Sequence, residues 1–304
     1  MSHPSTSHST TQRPARLAVG VVGVGRVGGV LAAALRNAGH PIVAASAVSD
    51  ASVARAQSLL PDTPLVDPTA VVAASELVLL TVPDDALPGL VEGLVSADAI
   101  RPGQLVVHTS GAHGVAVLEP ATRRGALPLA LHPVMTFTGR PEDVVRLAGC
   151  SFGVTAPEPL RPIAEALVLE MGGEPEWVAE ERRALYHAAL ANGANHLTTL
   201  VNESVELLAR SGVEHPARML APLLGAALDN ALRSGDLALT GPVSRGDAGT
   251  VAAHLRELRD VSPQALGAYI AMARLTADRA LAAGLLKPEA AEALLDVLAE
   301  GSRP

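Results

Sequence analysis

The hydrophobic positions in the first part of the chain form short continuous runs separated by stretches of helical periodicity. Continuous apolar runs bounded by glycine, proline or serine are typical of buried strands. They predict strands at residues 17–25, 41–47, 76–83, 104–110, 126–134, 150–156 and 174–179. Apolar residues at helical spacing over 26–39 and 51–60 predict helices between the early strands. Strands that alternate with helices indicate an α/β domain whose mostly parallel sheet is covered on both faces.

The strand pattern ends at Glu180, and the chain beyond it has helical periodicity. Helices are predicted over 181–211, 215–235, 247–260, 262–284 and 287–301, several of them opened by proline or closed by glycine. A boundary near residue 180 therefore divides an α/β domain (15–180) from an all-helical domain (181–304). Residues 1–14 are polar and lack a signal-peptide pattern, so we expect a disordered tail there.

Composition excludes several classes of function. The 304 residues are long enough for two cores. A net charge of −8 without a basic run argues against nucleic acid and anionic membranes as partners. No apolar run reaches the roughly 18 residues that a membrane span needs. The single cysteine, Cys150, excludes an internal disulfide and suggests a cytoplasmic protein.

A glycine-rich turn follows the first predicted strand directly. Gly23, Gly25 and Gly28 form the pattern G-V-G-R-V-G at the start of the first helix, with Arg26 and Val27 between the last two glycines. The first glycine makes a tight turn, the second lets the backbone approach a pyrophosphate, and the third allows the helix and strand to pack closely. The spacing is weak evidence alone, but its position between a strand and a helix predicts a Rossmann-type dinucleotide site.

The end of the second predicted strand favours NADP(H) over NAD(H). NAD sites usually place an acidic residue there, on the ribose hydroxyls. Here Ser46 and Ser49 offer hydroxyl groups instead, and Asp50 is interpreted as a cap for the next helix. Arg26 and Arg55 could supply positive charge to a 2′-phosphate.

Two further strand ends should line the nicotinamide side, because ligands bind outside the carboxyl ends of parallel strands. The first ends in Thr81-Val82-Pro83-Asp84, of which Val82 and Pro83 are predicted cofactor contacts. The second ends in His108-Thr109-Ser110-Gly111, where Ser110 is the predicted contact. Helix capping is an equally good explanation for Asp84 and Ser110.

Four segments together resemble a known family: HTSGAHG (108–114), LHPVMTF (131–137), YHAALANGANHL (186–197) and ALTGPVSRGDAGTVAAHL (238–255). The chain resembles the bacterial proteins that pair a Rossmann-like domain with a DUF2520 domain. More distantly it is similar to pyrroline-5-carboxylate reductase, ketopantoate reductase and the β-hydroxyacid dehydrogenases. The resemblance implies a helical domain of the 6-phosphogluconate dehydrogenase C-terminal type, NADPH binding, and dimerisation through the helical domain.

The resemblance also suggests candidate catalytic residues. In the β-hydroxyacid dehydrogenases a lysine and an asparagine on the equivalent helix assist carbonyl reduction. Here His187 takes the place of the lysine, and Asn195 lies eight residues further along nearly the same helical face. His187, or His132 after its strand, could donate a proton near neutral pH. The alternative is that these histidines only hydrogen-bond within the fold.

Arg245 lies in the loop TGPVSRGD (240–247), and its guanidinium could hold a substrate carboxylate. Asp247 could cap the following helix. A metal site formed by His132, His187 and His254 is a less favoured reading. We therefore expect an NADPH-dependent oxidoreductase that reduces a small carbonyl compound, a keto acid of ketopantoate type, and forms a homodimer. NAD(H) or a deazaflavin such as F420 stay open as cofactors, and a non-catalytic NADPH-binding sensor is the alternative function.

Overall fold

The computed structural model describes residues 16–301. The chain divides into two compact units between Ala194 and Asn195, later than residue 180. The helix after residue 182 belongs to the first unit because the guanidinium of Arg183 donates hydrogen bonds to the carbonyl oxygens of Ala130 and Gly153. The predicted tail, residues 1–14, lies outside the described residues.

A seven-stranded sheet forms the centre of the first unit. Each predicted strand is confirmed, and the strand order is β2-β1-β3-β4-β5-β6-β7. Neighbouring strands are parallel except for β5 and β6, which are antiparallel. The bounds are β1 Val19–Val22, β2 Ile42–Ser46, β3 Leu77–Leu80, β4 Leu105–His108, β5 Leu127–Pro133, β6 Ser151–Thr155 and β7 Glu174–Trp177. The predicted mostly parallel sheet is thus confirmed.

Helices cover both faces of the sheet, and two separate apolar clusters fill the layers between them. The predicted helices over 26–39 and 51–60 are α1 (Arg26–Asn37) and α2 (Asp50–Leu59). The others are α3 Pro68–Ala74, α4 Leu87–Ser96, α5 Glu119–Thr122, α6 Glu142–Arg146, α7 Arg161–Glu170 and α8 Arg183–Leu190. Strands β1, β3 and β4 are buried along their whole length, which is why their sequences are continuously apolar.

The second unit is helical, as predicted. It contains α9 His196–Arg210, α10 Pro216–Ser234, α11 Pro242–Arg245, α12 Ala248–Val261, α13 Pro263–Ala282 and α14 Pro288–Gly301. Its core is formed by residues such as Val251 and Leu255 on α12 and Leu294 on α14. By contrast, α9 and α10 contribute no buried residue among those described. No described helix has the length and apolarity required to cross a membrane.

The prediction of one uninterrupted helix over 181–211 is wrong. Helix α8 is followed by a π-helical turn, Ala191–Asn195, before α9 begins. Gly193 lies in this turn and lowers the helix propensity there. Single π-turns within helices occur frequently at functional sites.

Candidate active site

The glycine-rich turn follows β1 and packs against the end of β3. Gly23 has a φ of +94°, which favours glycine, and Gly28 has no room for a side chain. A Cβ at Gly28 would lie 2.1 Å from Oγ1 of Thr81 and 2.5 Å from the carbonyl oxygen of Gly23. The Thr81 hydroxyl donates a hydrogen bond to that same carbonyl. The first and third glycines are therefore required by the turn and by helix packing, as predicted for a dinucleotide-binding turn.

Gly25 has a different environment, because one side of it is open. The nearest atoms to a Cβ at this position would be 3.9 and 4.0 Å away. Gly25 is the N-cap of α1, and no described side chain caps this helix. The N–H groups of Arg26, Val27 and Gly28 in the first turn are thus available to an anionic group. A pyrophosphate fits this position.

Ser46, the last residue of β2, and Ser49, three residues later, both stabilise the backbone. Ser46 is buried, and its hydroxyl accepts a hydrogen bond from the N–H of Gly23 at 3.2 Å. Ser49 is exposed and caps α2 by accepting from the N–H of Ser52. The interpretation of Asp50 as the helix cap is therefore wrong. Asp50 lies in the first turn of α2, where the helix dipole stabilises its negative charge.

Two arginines lie beside the glycine-rich turn. Arg55 on α2 donates a hydrogen bond from Nη1 to the carbonyl oxygen of Val24 at 3.0 Å, and Arg26 is exposed at the start of α1. Gly139, in the loop after β5, packs between them: its Cβ would lie 2.6 Å from Nε of Arg55 and 3.2 Å from Cα of Arg26. The buried carboxylate of Asp143 fixes this loop by accepting hydrogen bonds from the N–H groups of Thr138 and Gly139.

The tip of β3 lies beside the glycine turn. The Val82 side chain would be 3.3 Å from a Cβ at Gly23, and Pro83 is exposed. Asp84 begins a 3₁₀ turn, but its side chain does not cap that turn with any hydrogen bond to a described residue. The capping explanation for Asp84 is therefore wrong.

The tip of β4 is held by a buried histidine. His108 accepts a hydrogen bond at Nδ1 from the N–H of Ser110 and donates one from Nε2 to the carbonyl oxygen of Gly114 at 2.8 Å. Burial lowers the pKa of His108 to about 4, so the ring is neutral at neutral pH. The Ser110 hydroxyl accepts from the N–H of His113, which is a capping role within this turn. His108 thereby fixes the backbone on both sides of Gly111.

Two histidine rings converge on Gly111, and the ring of Tyr186 contacts one of them. The Tyr186 hydroxyl lies 2.8 Å from Nδ1 of His132, and the rings of His132 and His187 meet edge to face with centroids 6.1 Å apart. A Cβ at Gly111 would lie 2.7 Å from Cδ2 of His187 and 3.0 Å from Nε2 of His132. The structure thus brings together two predicted candidates, His132 and His187, at the tip of β4. We call His132, Tyr186 and His187 the ring cluster.

Arg183 lies beneath the ring cluster and is 2% exposed. Besides its bonds to two strand carbonyls, its Nε donates to the Thr155 hydroxyl at 2.8 Å. Its Cζ lies 5.6 Å from the centre of the Tyr186 ring. Nη1 is buried and has no hydrogen-bond partner among the described residues, and no ion pair joins Arg183 to a described carboxylate. A buried guanidinium without a counter-ion is unusual and calls for an explanation.

The surroundings adjust the charge of the ring cluster. Burial, with a smaller effect from the charge of Arg183, lowers the pKa of His132 to about 4, so His132 is neutral at neutral pH. Burial also raises the pKa of the Tyr186 phenol, while Arg183 partly opposes that change. At neutral pH the cluster therefore contains a protonated phenol, a neutral imidazole and a nearby fixed positive charge.

The remaining residues that were predicted to act in catalysis, helix capping or metal binding belong to the second unit. Asn195 is exposed at the end of the π-turn. Arg245 forms an ion pair with Asp247 at 2.9 Å between Nη2 and Oδ2. Asp247 occupies the N-cap position of α12, but its carboxylate does not cap the helix. His254 lies 2.9 Å from the Tyr269 hydroxyl, and the described residues contain no group of three possible metal ligands.

Tyr186 and Arg183 were not among the site residues predicted from the sequence. Tyr186 directly precedes the predicted His187, and the chain contains only two tyrosines, so its rarity was an available signal. Arg183 gave no comparable signal, since an arginine at a helix start is ordinarily exposed.

Comparison with known proteins agrees with this architecture. Residues 1–133 match the model of the Rossmann-like domain, and residues 150–276 match DUF2520, a domain of unknown function. The chain therefore contains a Rossmann-like domain followed by a DUF2520 domain. No curated protein matches the sequence.

Several solved structures share the fold. BF3122 from Bacteroides fragilis, which bears the name NADP oxidoreductase, is 22% identical with a TM-score of 0.71, over 86% of this chain and 98% of that one. An imine reductase from a Pseudomonas species is 20% identical with a TM-score of 0.62, over 93% and 100% of the two chains. A pyrroline carboxylate reductase from Plasmodium falciparum, solved with NADP bound, is 11% identical with a TM-score of 0.55, over 94% and 98%.

Proposed function

We propose that this protein is an NADPH-dependent oxidoreductase that reduces a small carbonyl or imine compound, with a keto acid of ketopantoate type as the first candidate substrate. One observation carries the proposal. The open glycine turn after β1 and the ring cluster around Gly111 lie at the same edge of the sheet, because β1, β3, β4 and β5 are parallel and all end there. The names of the neighbouring structures, which include NADP oxidoreductase and imine reductase, support the reaction class.

The spacing of the strands suits a dinucleotide. The chain reverses its direction across the sheet between β1 and β3, and open α/β sheets bind ligands at such a switch point. The tips of β1 and β4 are two strand spacings apart, which is about 10 Å. A dinucleotide with its pyrophosphate at Gly25 would extend along this edge towards Gly111 and the ring cluster.

The chain's own residues would divide the work between binding and proton transfer. Bound NADPH supplies a hydride to an electrophilic carbon. The first turn of α1 would hold the pyrophosphate, and Val82 and Pro83 would line the path between the turn and β4. His132 presents Nε2 beside Gly111, where it can donate a hydrogen bond and a proton to the oxygen or nitrogen that gains negative charge.

The arginine pair at the glycine turn supports NADPH over NADH. Arg26 and Arg55 flank the turn, and no carboxylate occupies the end of β2 (Ile42–Ser46). Calorimetric titration should show tighter binding of NADPH than of NADH, and Arg26→Gln should reduce this preference at least tenfold. Arg36→Gln, at the other end of α1, is the matched control. Equal affinity of the wild-type protein for both nucleotides would contradict the NADPH assignment.

Turnover tests the catalytic part of the proposal. NADPH oxidation with a panel of keto acids and cyclic imines should identify a substrate, and His132→Ala and His187→Ala should each reduce kcat/KM at least 100-fold. For Arg245→Ala and Asn195→Ala we expect a loss that is largest with carboxylate-bearing substrates. A protein that binds NADPH tightly but reduces no member of the panel would instead be a nucleotide sensor.

We further propose that the protein is a homodimer joined through its helical unit. Helix α10 buries none of its residues. Four of its large apolar side chains are each more than half exposed: Met219, Leu223, Leu228 and Leu232. A 19-residue helix with so many exposed apolar side chains needs a covering surface, and a second copy of the chain provides one. Sedimentation at micromolar concentration should show a dimer; a monomer would refute this proposal.

A further inference from the structure

We propose that Tyr186 is the proton reservoir of the active site, acting through His132 and balanced by the unpaired charge of Arg183. This inference rests on the proposed reductase function. The hydroxyl of Tyr186 lies 2.8 Å from Nδ1 of His132, and Nε2 of the same ring lies beside Gly111. In this proposal the phenol is the donor, which would fix the imidazole with its proton on Nε2. Tyr186 is thus a positioning residue, and His132 is the group that touches the substrate.

The direction of the hydrogen bond follows from the surroundings. The phenol lies over Gly153 on β6, where a Cβ would be 2.2 Å from its oxygen, so nothing larger than glycine permits this position. Besides Tyr186, the groups that act on His132 are Arg183 below it, His187 beside it and Asp84 at the tip of β3. Burial has the largest effect in lowering the pKa of His132, Arg183 and His187 lower it further, and Asp84 opposes them, so the ring is a neutral imidazole that can accept a hydrogen bond at Nδ1.

In the proposed step the proton passes from Tyr186 through His132 to the substrate, and solvent supplies the proton that restores Tyr186. The bound cofactor would supply a hydride to the substrate carbon, and the carbonyl oxygen would then gain the electron pair of the π bond. That oxygen takes the proton from Nε2 of His132 as Nδ1 takes the proton from Tyr186. The products are a neutral alcohol, a neutral His132 with its proton moved to Nδ1, and a Tyr186 phenolate. Water then reprotonates the phenolate as the histidine returns to its first tautomer.

This step gives a reason why Arg183 forms no ion pair with a described carboxylate, although the charge of Glu180 acts on it from a distance. A carboxylate paired with Arg183 would neutralise it and would repel a phenolate nearby. With Nη1 unpaired and Cζ 5.6 Å from the ring centre, the guanidinium instead favours the negative charge that Tyr186 acquires during turnover. A low-dielectric setting makes such an interaction stronger than it would be in water.

The chain provides a matched control for Tyr186. Its other tyrosine, Tyr269, also lies within hydrogen-bond distance of a histidine Nδ1, at 2.9 Å from His254, and the two rings also meet edge to face. That pair joins α12 and α13 in the second unit. Tyr269→Phe therefore removes the same kind of hydrogen bond, and Tyr186→Phe should differ from it if Tyr186 has the proposed role.

Two measurements test the inference on the full-length protein. Nitrogen NMR of histidine-labelled protein should show His132 as the Nε2–H tautomer in the wild type and in Tyr269→Phe, and as a mixture in Tyr186→Phe. In mixtures of light and heavy water, kcat should depend on two transferred protons in the wild type and on one in Tyr186→Phe, whose kcat falls at least tenfold while NADPH affinity is unchanged.

The outcomes separate this inference from the proposed function. A wild-type His132 protonated at Nδ1, or an unchanged kcat in Tyr186→Phe, overturns the role of Tyr186 and leaves the reductase proposal standing. If no substrate is reduced, the NMR measurement still decides the positioning role. Gly153→Ala, which displaces the hydroxyl without removing it, should reproduce the tautomer mixture; a wild-type spectrum would contradict the geometry.

Discussion

Acid should weaken the first unit through His108 and His132, whose pKa values are lowered by burial, and His108 allows the effect to be isolated. In the unfolded chain a histidine has an ordinary pKa of about 6.5. In the folded protein, burial lowers the pKa values of His108 and His132 to about 4. Between these values the unfolded chain binds more protons than the folded one, so the free energy of unfolding falls as the pH falls.

The size of the effect follows from the shift. At pH 5, about 1.5 units below the ordinary pKa, each histidine should cost about 2 kcal/mol relative to pH 7, at about 1.4 kcal/mol per unit. The carboxylates with lowered pKa values, such as Asp143 and Glu170, contribute stability that is lost only at more acidic pH. The histidine effect thus has its own pH window, from about 6.5 down to about 4.

Urea unfolding followed by the fluorescence of Trp177 measures this directly. Trp177 is the only tryptophan and lies on β7, so it reports on the first unit. The loss in unfolding free energy from pH 7 to pH 5 should be about 2 kcal/mol smaller in His108→Gln than in the wild type. Between pH 7 and pH 8 the two proteins should have parallel curves. Parallel curves down to pH 5 would refute the assignment of a lowered pKa to His108.

Three further predictions concern packing and assembly. Gly28→Ala should abolish NADPH binding in a calorimetric titration, because the new Cβ would lie 2.1 Å from the Thr81 hydroxyl oxygen. Gly89→Ala is the control: its Cβ would meet no atom within 4 Å, so this variant should bind NADPH normally. Arg183→Lys should lower the free energy of unfolding by about 3 kcal/mol in urea titrations, because a lysine cannot reproduce the forked hydrogen bonds and leaves buried carbonyls unpaired; an unchanged value would contradict the buried contacts. Leu223→Glu with Leu232→Glu should convert the dimer to a monomer in sedimentation, and a persistent dimer would place the interface elsewhere.

The positions of β1, β3 and β4 could be predicted because burial on both faces requires continuous apolar runs. The glycine-rich turn could also be predicted, because each of its three glycines has a separate steric reason to lack a side chain. The antiparallel pairing of β5 with β6 depends on contacts between distant segments, and sequence periodicity does not report it. The predictions that Asp50 and Asp247 cap helices were wrong for a related reason, which is a neighbouring side chain. Ser49 caps α2 in place of Asp50, and Arg245 forms an ion pair with the carboxylate of Asp247.

The candidate site could be predicted in part. His132 and His187 were identified as chemically suitable, and the fold brings them to one strand tip. Their partner Tyr186 is 54 positions from His132, and only the docking of α8 on the sheet brings the two together. That docking depends on the buried Arg183, whose role could not be predicted because surface arginines at helix starts are common.

The two histidine–tyrosine pairs show that environment, more than residue type, should decide chemistry in this protein. Both pairs have nearly the same geometry, with centroid distances of 5.6 and 5.8 Å. Of the two, His132 lies against a strand tip with a buried cation beneath its tyrosine, and burial lowers its pKa to about 4. A buried guanidinium without an ion pair to a described carboxylate is unfavourable for stability, and the proposed role of Tyr186 gives that charge a use in the reaction. We therefore expect Arg183→Met, which removes the charge, to reduce kcat more than Tyr269→Phe does when both variants are assayed at a temperature at which they remain folded.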